Sequence, residues 1–563
     1  MARQDSAVLV SNTNATTPKI VPAASSPSPN NNSTTNNSSI NNNNNSSNNT
    51  STNIKKTVVT VESQFTRHNE KEERGKALRQ VVVAFIANLA TVNTGLIFGF
   101  SAVAIPQLEA SDSVIKIDEY QASWIASLSS ASTPIGCILS GYVMDRFGRK
   151  KTLLFTEIPL IIGWLFIACA SDVRYIYAGR VLCGLGSGMV GAPVRVYTSE
   201  VTQPHLRGML TALGNVGISV GVLFQYTLGA FISWNWLAAF SVLIPVVAFT
   251  LMIGMPESPN YLVTHSKPDA AYKSLAKLRG SNYNLGREID QLQAFANKSK
   301  TKEKETWRDL VRALLSPSAL KPFGILFVYF MSYQFSGVNT VTFYAVEIFR
   351  DSGTPWDKNT ATLVLGIVRL IFTIIACVAL RRCGRRPLSF ISFIGCGVTM
   401  VGLGIYMREK LKWDELGIEP VNSWIPVTCL FLFQACCALG FLVVPWVMIG
   451  ELYPMKVRGI YGGLTTCSAH LCVFIVVKTY PFLSHVIEKH GCFILYGCIS
   501  LSATIFIYFF LPETKGKSLQ DIEDYFSGRM SKQSFKGKKS GISTVASINN
   551  SKPIIVEKDK LLP

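Results

Sequence analysis

Twelve apolar stretches dominate this chain of 563 residues, each about as long as the roughly 20 residues that a helix needs to cross a bilayer. Six of them lie at 81–105, 122–143, 152–170, 176–198, 208–231 and 236–254. After a polar segment, six more lie at 322–346, 361–380, 388–407, 424–447, 459–480 and 491–511. Because lipid offers the backbone no hydrogen-bonding partners, such stretches are stable in a bilayer as helices. The sequence therefore predicts an all-α polytopic membrane protein with twelve transmembrane helices, numbered here as spans 1 to 12.

The distribution of charge supports a membrane protein. Only 16% of the residues are charged, against about a quarter in soluble domains. The formal net charge of +19 would also suit a nucleic-acid-binding protein, but the basic residues cluster in short gaps between apolar stretches. The gaps after spans 2, 4, 8 and 10 contain "DRFGRKK", "EVTQPHLRG", "RRCGRRP" and "ELYPMKVRG". Such loops are typical of the cytoplasmic side, so we predict cytoplasmic termini and no nucleic-acid partner.

Composition divides the chain into five segments. Residues 1–78 are rich in Asn and Ser and have too few apolar residues to build a core, which predicts a disordered cytoplasmic tail. Residues 79–255 and 320–511 are predicted to form the N-terminal and C-terminal six-helix bundles. Between the bundles, residues 256–319 mix charges with apolar residues at helical spacing, which predicts amphipathic linker helices. Residues 512–563 are predicted to form a cytoplasmic C-terminal tail.

The two halves repeat three motifs in the same order. "DRFGRKK" after span 2 corresponds to "RRCGRRP" after span 8, and "YTSEVTQPHLRG" after span 4 corresponds to "IGELYPMKVRG" after span 10. "MPESPNYL" after span 6 corresponds to "LPETKGKSL" after span 12. Two six-helix repeats related by an axis along the membrane normal are the arrangement of the major-facilitator transporters, and we predict that fold.

Between Gln80 and Tyr525 the chain resembles the sugar-porter, or glucose-transporter, family of the major facilitators. The resemblance rests on "DRFGRK", "PESP", "QFSGVNTVTFY", "VPWVMIGELYP" and "PETKG". The stretches "DEYQASWIASL" and "GISVGVLFQYTLGA" are most similar to insect facilitated trehalose transporters and related intracellular-type glucose transporters. The resemblance implies transport of a sugar by alternating access, with trehalose or glucose as the leading substrates. It also implies that the protein is not an enzyme and has no cofactor.

Gln334 and Asn339 interrupt span 7 with two amides five residues apart. Polar side chains at that depth usually face the bundle interior or a wet cavity, because an unpartnered amide in hydrocarbon is costly. Amides donate and accept hydrogen bonds without carrying charge, which suits sugar hydroxyls. The same spacing also fits polar contacts between helices. The resemblance implies that both amides bind sugar.

The resemblance adds three residues to the expected sugar site. Trp446 follows Pro445, and its ring face would pack on a pyranose, with an interfacial aromatic residue as the alternative. Asn215 occupies the place on span 5 where the family usually has a glutamine. Tyr344, on the outer half of span 7, resembles a gating tyrosine.

Charged residues at the cytoplasmic ends of the spans match charge clusters of the family that gate the inner side. The resemblance places seven residues there, namely Asp145, Arg149, Glu200, Arg207, Arg385, Glu451 and Arg458. Glu257 and Glu513 are expected to join the same network. Closing such partly desolvated pairs would favour one conformer by about 1–3 kcal/mol.

The loops after spans 2 and 8 differ in charge although they correspond in sequence. Arg381 stands where the first copy has Asp145. We therefore expect Arg385 to rely on Glu451 rather than on a carboxylate in its own loop.

Several residues depart from the pattern of the family. Arg369 stands on span 8 where many members have a sugar-binding asparagine, and Ala438 replaces a glutamate on span 10. On span 11, Ala469 and His470 replace an Asn-Trp pair. Arg195 is a second arginine within an apolar span. A buried arginine needs a carboxylate, carbonyl groups or water, and Glu347 is a candidate partner of Arg369. The departures indicate a site rebuilt for another sugar or solute, or an orphan with weak transport.

Span 1 indicates whether sugar transport is coupled to protons. Proton-driven sugar porters carry an aspartate midway along this span, whereas "NTGLIFGFS" has Ile97 near that place and no carboxylate. A uniporter is therefore expected, and His470 is the residue that would support the alternative of a proton-coupled symporter. A non-transporting sugar sensor is a further alternative, but sensors of that kind tend to have longer C-terminal tails.

We expect a multi-pass plasma-membrane protein whose partners are its sugar and the membrane lipids. Near the C-terminus, "EKDKLLP" places Glu557 ahead of Leu561 and Leu562, which fits the acidic dileucine pattern. That pattern predicts a sorting adaptor as a partner and cycling through endosomes.

Overall fold

The computed structural model describes residues 77–530, with gaps at 112, 281–282, 303–306 and 455. Most of the predicted N-terminal tail and the sorting motif of Glu557, Leu561 and Leu562 lie outside the described residues. Within the described residues every regular element is a helix.

The helices form two sets joined by a linker. The first half contains α1 (Ala77–Leu108), α2 (Glu119–Phe147), α3 (Arg149–Ala168), α4 (Val173–Val201), α5 (Pro204–Gly229), α6 (Trp234–Ser241) and α7 (Leu243–Ile253). The linker contains α8 (Pro259–Thr264), α9 (Pro268–Arg279), α10 (Leu285–Lys302) and α11 (Trp307–Leu314). The second half contains α12 (Pro317–Gln334), α13 (Val338–Phe343), α14 (Ala345–Asp351), α15 (Lys358–Arg382), α16 (Arg385–Leu416), α17 (Trp424–Leu439), α18 (Val444–Leu452), α19 (Arg458–Val486) and α20 (Glu488–Phe510), followed by α21 (Leu519–Phe526).

These helices make up twelve spans. Nine segments of the described chain are long and apolar enough to cross a membrane by themselves, namely α1, α3, α5, α6 with α7, α15, α16, α17 with α18, α19 and α20. Helices α2 and α4 have 29 residues each, but the serines of α2 and the arginines of α4 make them more polar. Span 7 is broken into α12, α13 and α14. The result agrees with the predicted two sets of six.

Spans 2 and 4 approach closely because glycines lie at their contact. An added Cβ at Gly184 would lie 2.1 Å from the backbone oxygen of Ser129, and one at Gly188 would lie 2.1 Å from that of Thr133. A larger residue at either glycine would push the two helices apart. Small residues four apart are a common way for membrane helices to pack.

The linker helices attach to the end of span 4. The Arg279 side chain is 2% exposed, donates to the Val201 carbonyl at 2.7 Å, and pairs with Glu288 at 2.9 Å. This attachment holds α9 under the first half. We call this side of the molecule, which also carries Arg149 and Arg385, the linker side, and we call the opposite side the far side.

On the far side, polar contacts join the two halves. His485 of span 11 lies 2.8 Å from Glu119 of span 2, and the Lys478 ammonium donates to the Ser123 hydroxyl at 2.6 Å. Spans 5 and 7 meet in the same way through the bond from the Tyr226 hydroxyl to the Thr342 carbonyl, which is 2.7 Å long. These three contacts join the first half to the second half on the far side.

Candidate functional site

Span 7 breaks at the predicted amide site. Helix α12 ends at Gln334, and Gly337 adopts a φ of +86° before α13 begins. This left-handed conformation favours glycine, and an added Cβ would lie 2.8 Å from the ring of Tyr496. The break brings Gln334 next to Asn339, whose Nδ2 donates a hydrogen bond to the Gln334 Oε1. We call these two residues the amide pair.

The amide pair keeps polar atoms free for a ligand. Gln334 is 2% exposed and Asn339 is 6% exposed. The Gln334 Nε2 and the Asn339 Oδ1 have no hydrogen-bonding partner among the described residues, and neither atom is fully enclosed by protein. One donor group and one acceptor therefore remain for the hydroxyls of a solute.

Trp446 lies on the linker side of the amide pair. Its ring centroid is 4.9 Å from that of Phe330, edge to face, and Phe330 precedes Gln334 by about one helical turn. Span 10 breaks between Leu439 and Val444, just before Trp446, and an added Cβ at Gly440 in this break would lie 2.2 Å from the Ser392 Oγ of span 9. Pro445 does not cause this break, because it occupies the first turn of α18, where proline is tolerated.

Two other residues of the expected sugar site make no polar contact with the amide pair. Asn215 is half-buried on span 5, and its side chain forms no hydrogen bond with the described residues. Tyr344 is buried toward the far side, where its hydroxyl donates to the Val477 carbonyl at 3.2 Å and its ring centroid is 5.0 Å from that of Tyr480. Tyr344 thus attaches span 7 to span 11.

In the first half, Arg149 pairs with Glu200. The guanidinium donates from Nε at 3.1 Å and from Nη2 at 3.2 Å, which ties the start of span 3 to the end of span 4. The Ser258 hydroxyl donates to the same carboxylate. Glu257 accepts the backbone N–H groups of Arg149 and Lys150 at 3.0 Å each, and so it caps the positive end of the α3 dipole.

Tyr261 of the linker covers this pair. Its ring centroid is 5.2 Å from the Arg149 Cζ, and its hydroxyl donates to the Arg146 carbonyl at 3.0 Å. Burial raises the pKa of Tyr261, and the nearby Glu257 carboxylate raises it further. The phenol therefore remains a neutral donor at physiological pH.

The second half repeats the arrangement. Arg385 donates to Glu451 from Nη2 at 2.5 Å and from Nε at 3.1 Å, which confirms the predicted reliance on Glu451. The Thr514 hydroxyl donates to Glu451 at 2.6 Å. Glu513 accepts the backbone N–H groups of Arg385 and Arg386 at 3.0 and 3.1 Å. The two halves thus use the same five hydrogen bonds.

The remaining predicted charges lie outside these pairs. Asp145 and Arg207 are exposed and form no ion pair with the described residues. Arg458 donates to the Tyr453 carbonyl at 3.0 and 3.2 Å and not to Glu451. Each half therefore has one bidentate pair, and neither pair joins the two halves.

The expected pairing of Arg369 with Glu347 is wrong. Glu347 lies on α14, beyond the break at Tyr344, and forms an ion pair with Lys489 at 3.0 Å. Arg369 is 5% exposed and donates from Nη1 to the Thr342 Oγ1 at 3.2 Å, while its Nε is buried without a partner. Arg369 is therefore a buried cation with no carboxylate partner among the described residues.

Arg195 and His470 both contact Trp446. The Arg195 Cζ is 5.3 Å from the indole centroid, and the imidazole centroid of His470 is 6.1 Å from it. Arg195 is exposed although it lies within span 4, and it forms no ion pair with the described residues. The His470 Nδ1 lies 2.9 Å from the Thr466 carbonyl, which assigns the ring proton to Nδ1 and leaves Nε2 as an acceptor.

Arg180 occupies the middle of the first half and is fully buried. Its guanidinium donates to the Ile97 carbonyl at 2.9 Å and to the Ser101 hydroxyl at 2.6 Å. It also donates to the carbonyls of Ile125 and Ala126, at 2.8 and 3.2 Å. Neutral acceptors of spans 1 and 2 thus satisfy the hydrogen-bond donors of this arginine.

Sequence reasoning missed three residues. Glu157 of span 3 is 2% exposed, and its carboxyl accepts a hydrogen bond from the Asn93 Nδ2 at 3.1 Å. Ser258 and Thr514 were missed as well, although a hydroxyl residue follows "PE" in both halves and is the signal that would have found them. Among the described residues, no group of three His, Cys, Asp or Glu is placed to hold a metal ion.

Relatives of this chain are named sugar transporters. A family model described as sugar (and other) transporter matches residues 35–526. The facilitated trehalose transporter Tret1 of Bombyx mori is 34% identical over 444 residues, covering 79% of this chain and 86% of the relative. Tret1 of Apis mellifera ligustica is 33% identical over 466 residues, covering 82% of this chain and 91% of the relative.

Solved structures of transporters share the fold. The inward-open conformation of the xylose transporter XylE from E. coli matches with a TM-score of 0.65 at 21% identity, covering 79% of this chain and 99% of that one. The proton:xylose symporter XylE bound to 6-bromo-6-deoxy-D-glucose gives a TM-score of 0.62 at 22% identity, covering 79% and 98%. The predicted twelve-helix major-facilitator fold is confirmed.

Proposed function

Because this chain belongs to the sugar transporter family, we propose that it carries a sugar across a membrane as a uniporter that works by alternating access. Trehalose is the first candidate substrate, since its relatives are named facilitated trehalose transporters, and glucose is the second. The family consists of transporters and not of enzymes, so the protein needs no catalytic group.

The amide pair is the observation that carries this proposal. A polar break in the middle of an apolar span leaves one amide nitrogen and one amide oxygen free, and the ring of Trp446 packs on Phe330, about one helical turn before Gln334. A sugar presents hydroxyls that need both donors and acceptors, and a C–H face that packs on an aromatic ring. The site therefore binds sugar at Gln334, Asn339 and Trp446, with Asn215 reaching it through water.

Uniport is supported by the surroundings of Arg180. A symporter needs an acid that exchanges its proton as the solute binds. On span 1 the place of such an acid is taken by Ile97, whose carbonyl already accepts a hydrogen bond from Arg180 at 2.9 Å. With its donors directed to neutral groups, Arg180 needs no titrating carboxylate.

Alternating access is supported by the unequal contacts of the two sides. Far-side contacts join the halves, whereas the pairs Arg149–Glu200 and Arg385–Glu451 lie within single halves. This conformer is therefore accessible from the linker side, and the two pairs act as gating charges that rearrange in the opposite conformer. Tyr344 gates the far side by holding span 7 to span 11.

The protein is a multi-pass membrane protein, and we assign its linker side to the cytoplasm. The basic loops around Arg149 and Arg385 lie on that side, as the positive-inside rule requires. Both chain ends then face the cytoplasm. We place the protein in the plasma membrane, with Glu557, Leu561 and Leu562 as a motif for endosomal sorting.

Counterflow in proteoliposomes tests the proposal. Labelled sugar should enter liposomes preloaded with unlabelled sugar and should equilibrate at the same level with and without a pH gradient. Accumulation driven by the gradient would establish a symporter. Sugar binding without flux would establish a sensor, and the absence of both binding and flux would rule out a sugar site.

A proton-coupled symporter remains the second candidate because of Glu157. Its buried carboxyl belongs to span 3 and accepts a hydrogen bond from Asn93. Asn93 belongs to span 1, the span on which proton-driven sugar porters carry their aspartate. For a uniporter, Glu157→Gln should keep counterflow within about twofold of the parent, because glutamine retains the hydrogen bond and avoids an uncompensated buried charge. The matched variant Glu415→Gln, at an exposed carboxylate, controls for expression. Loss of gradient-driven uptake in Glu157→Gln alone would instead identify a proton site.

A further inference from the structure

Arg369 is a buried cation that has no counter-charge among the residues that the structure describes. Its side chain is 5% exposed, its one hydrogen bond goes to the neutral Thr342 hydroxyl at 3.2 Å, and its Nε has no partner. The guanidinium stays charged at every physiological pH. Burying an unpaired charge is so costly that proteins normally supply a carboxylate, but Glu347, the expected partner, pairs with Lys489.

Arg195 is a second cation without a carboxylate. It lies within span 4, is exposed, and contacts the ring of Trp446 at 5.3 Å. The neighbouring His470 offers it no negative charge. The guanidinium therefore remains available to a ligand that approaches the indole from the linker side.

The two arginines lie on opposite sides of the amide pair along span 7. Thr342, which holds Arg369, follows Asn339 by three residues toward the far side. Phe330, which packs on Trp446 next to Arg195, precedes Gln334 by four residues toward the linker side. Along span 7, a solute held by the amide pair thus has on each side a guanidinium that has no carboxylate partner among the described residues.

We propose that this site selects a sugar that carries an anionic group, a carboxylate or a phosphate, over neutral trehalose and glucose. The inference rests on the proposed function, since the same amide pair binds the sugar ring. Arg195 binds the anionic group as it enters from the linker side, and Arg369 binds it next to the amide pair. Guanidinium groups bind both oxyanions through two parallel hydrogen bonds, so the geometry fits either one.

Transport of such a sugar by a uniporter moves net charge. At equilibrium, a membrane potential concentrates a singly charged anion about 50-fold per 100 mV on the positive side, whereas a neutral sugar is unaffected. Voltage dependence therefore separates this proposal from transport of trehalose or glucose.

The test uses the full-length chain in proteoliposomes with a potassium diffusion potential. Uptake of labelled glucuronate, glucose 6-phosphate, glucose and trehalose is measured at zero and at inside-positive potential. We expect one of the two anions to be taken up at least about tenfold faster than either neutral sugar and to accumulate with the potential; which anion does so tells carboxylate from phosphate. Uptake of neutral sugars without competition from either anion would overturn the inference and leave the proposed function standing. Uptake of none of the four would overturn both.

Two variants test whether Arg195 and Arg369 bind the anionic group. Arg195→Gln and Arg369→Gln should each lower the ratio of anion uptake to glucose uptake about tenfold or more, because glutamine keeps polarity and removes the charge. Arg174→Gln is the matched control, since it removes a cation of the same helix whose side chain is 90% exposed. Because Arg369 has no carboxylate to lose, its variant should fold as well as the parent. Equal losses for anion and neutral sugar would overturn the assignment.

Discussion

Asn339→Ala is expected to remove nearly all sugar flux. The substitution deletes a buried amide that donates to the Gln334 Oε1 and keeps its own oxygen free for a solute hydroxyl. Gln334 is 2% exposed, and its Oε1 then loses its hydrogen-bond donor. An unsatisfied buried acceptor and a lost bond to sugar together cost about 2–4 kcal/mol, which corresponds to about a 30- to 1000-fold fall in flux at low sugar concentration. The measurement is initial counterflow of the best-transported sugar, normalised to protein in the membrane.

Two variants make this result specific. Gln434→Ala removes another buried amide of the second half, 1% exposed, whose Nε2 has no partner, and it should leave flux within about threefold. Gln334→Ala with Asn339→Ala should lose little more than Asn339→Ala alone, because bonded neighbours are not additive. Normal flux in the double variant would show that the amide pair joins helices and does not bind sugar.

The fold and the amide site were predictable because their signals are local. Apolar length sets each span, and the repeated loop motifs set the pairing of the halves. Gln334 and Asn339 interrupt an apolar span, which marks them as inward-facing whatever the surrounding packing. The pairing of Arg385 with Glu451 was predicted from the lack of an acid in its own loop, but Arg149 pairs with Glu200 in the same way although its loop contains Asp145, so the pairing follows from the repeat.

The neighbours of the other charges were not predictable, because they depend on how separate spans pack. Trp446 and Arg195 belong to spans 10 and 4, and no sequence spacing brings them within 5.3 Å. The pairing of Arg369 with Glu347 had no spacing behind it, because the two residues belong to different spans, and Glu347 forms its ion pair with Lys489 instead.

Glu451→Gln is expected to have the largest effect on stability. The Arg385 and Glu451 side chains are 16% and 22% exposed, and the carboxylate also accepts the Thr514 hydroxyl at 2.6 Å. Removing the negative charge leaves a mostly buried guanidinium uncompensated, at a cost of about 2–3 kcal/mol in the free energy of unfolding. Thermal unfolding of the purified transporter measures this loss. Glu200→Gln should cost a similar amount, because Arg149 and Ser258 surround Glu200 in the same way.

An exposed pair provides the control. Lys412 and Glu409 are 2.7 Å apart, but their side chains are 52% and 42% exposed, so Glu409→Gln should cost less than about 1 kcal/mol. Equal losses in Glu409→Gln and Glu451→Gln would show that burial does not determine the strength of these pairs.

Flux per folded molecule then separates a gate from a structural clamp. If the pair only holds spans 9 and 10 together, Glu451→Gln should lower the yield of folded protein without changing turnover of the molecules that remain. If the pair favours one conformer by about 1–3 kcal/mol, its loss shifts the balance of conformers about 5- to 150-fold and turnover changes with it. We expect the second result. Both pairs lie on the linker side, where no ion pair between described residues joins the halves and where a change of conformer would alter their burial.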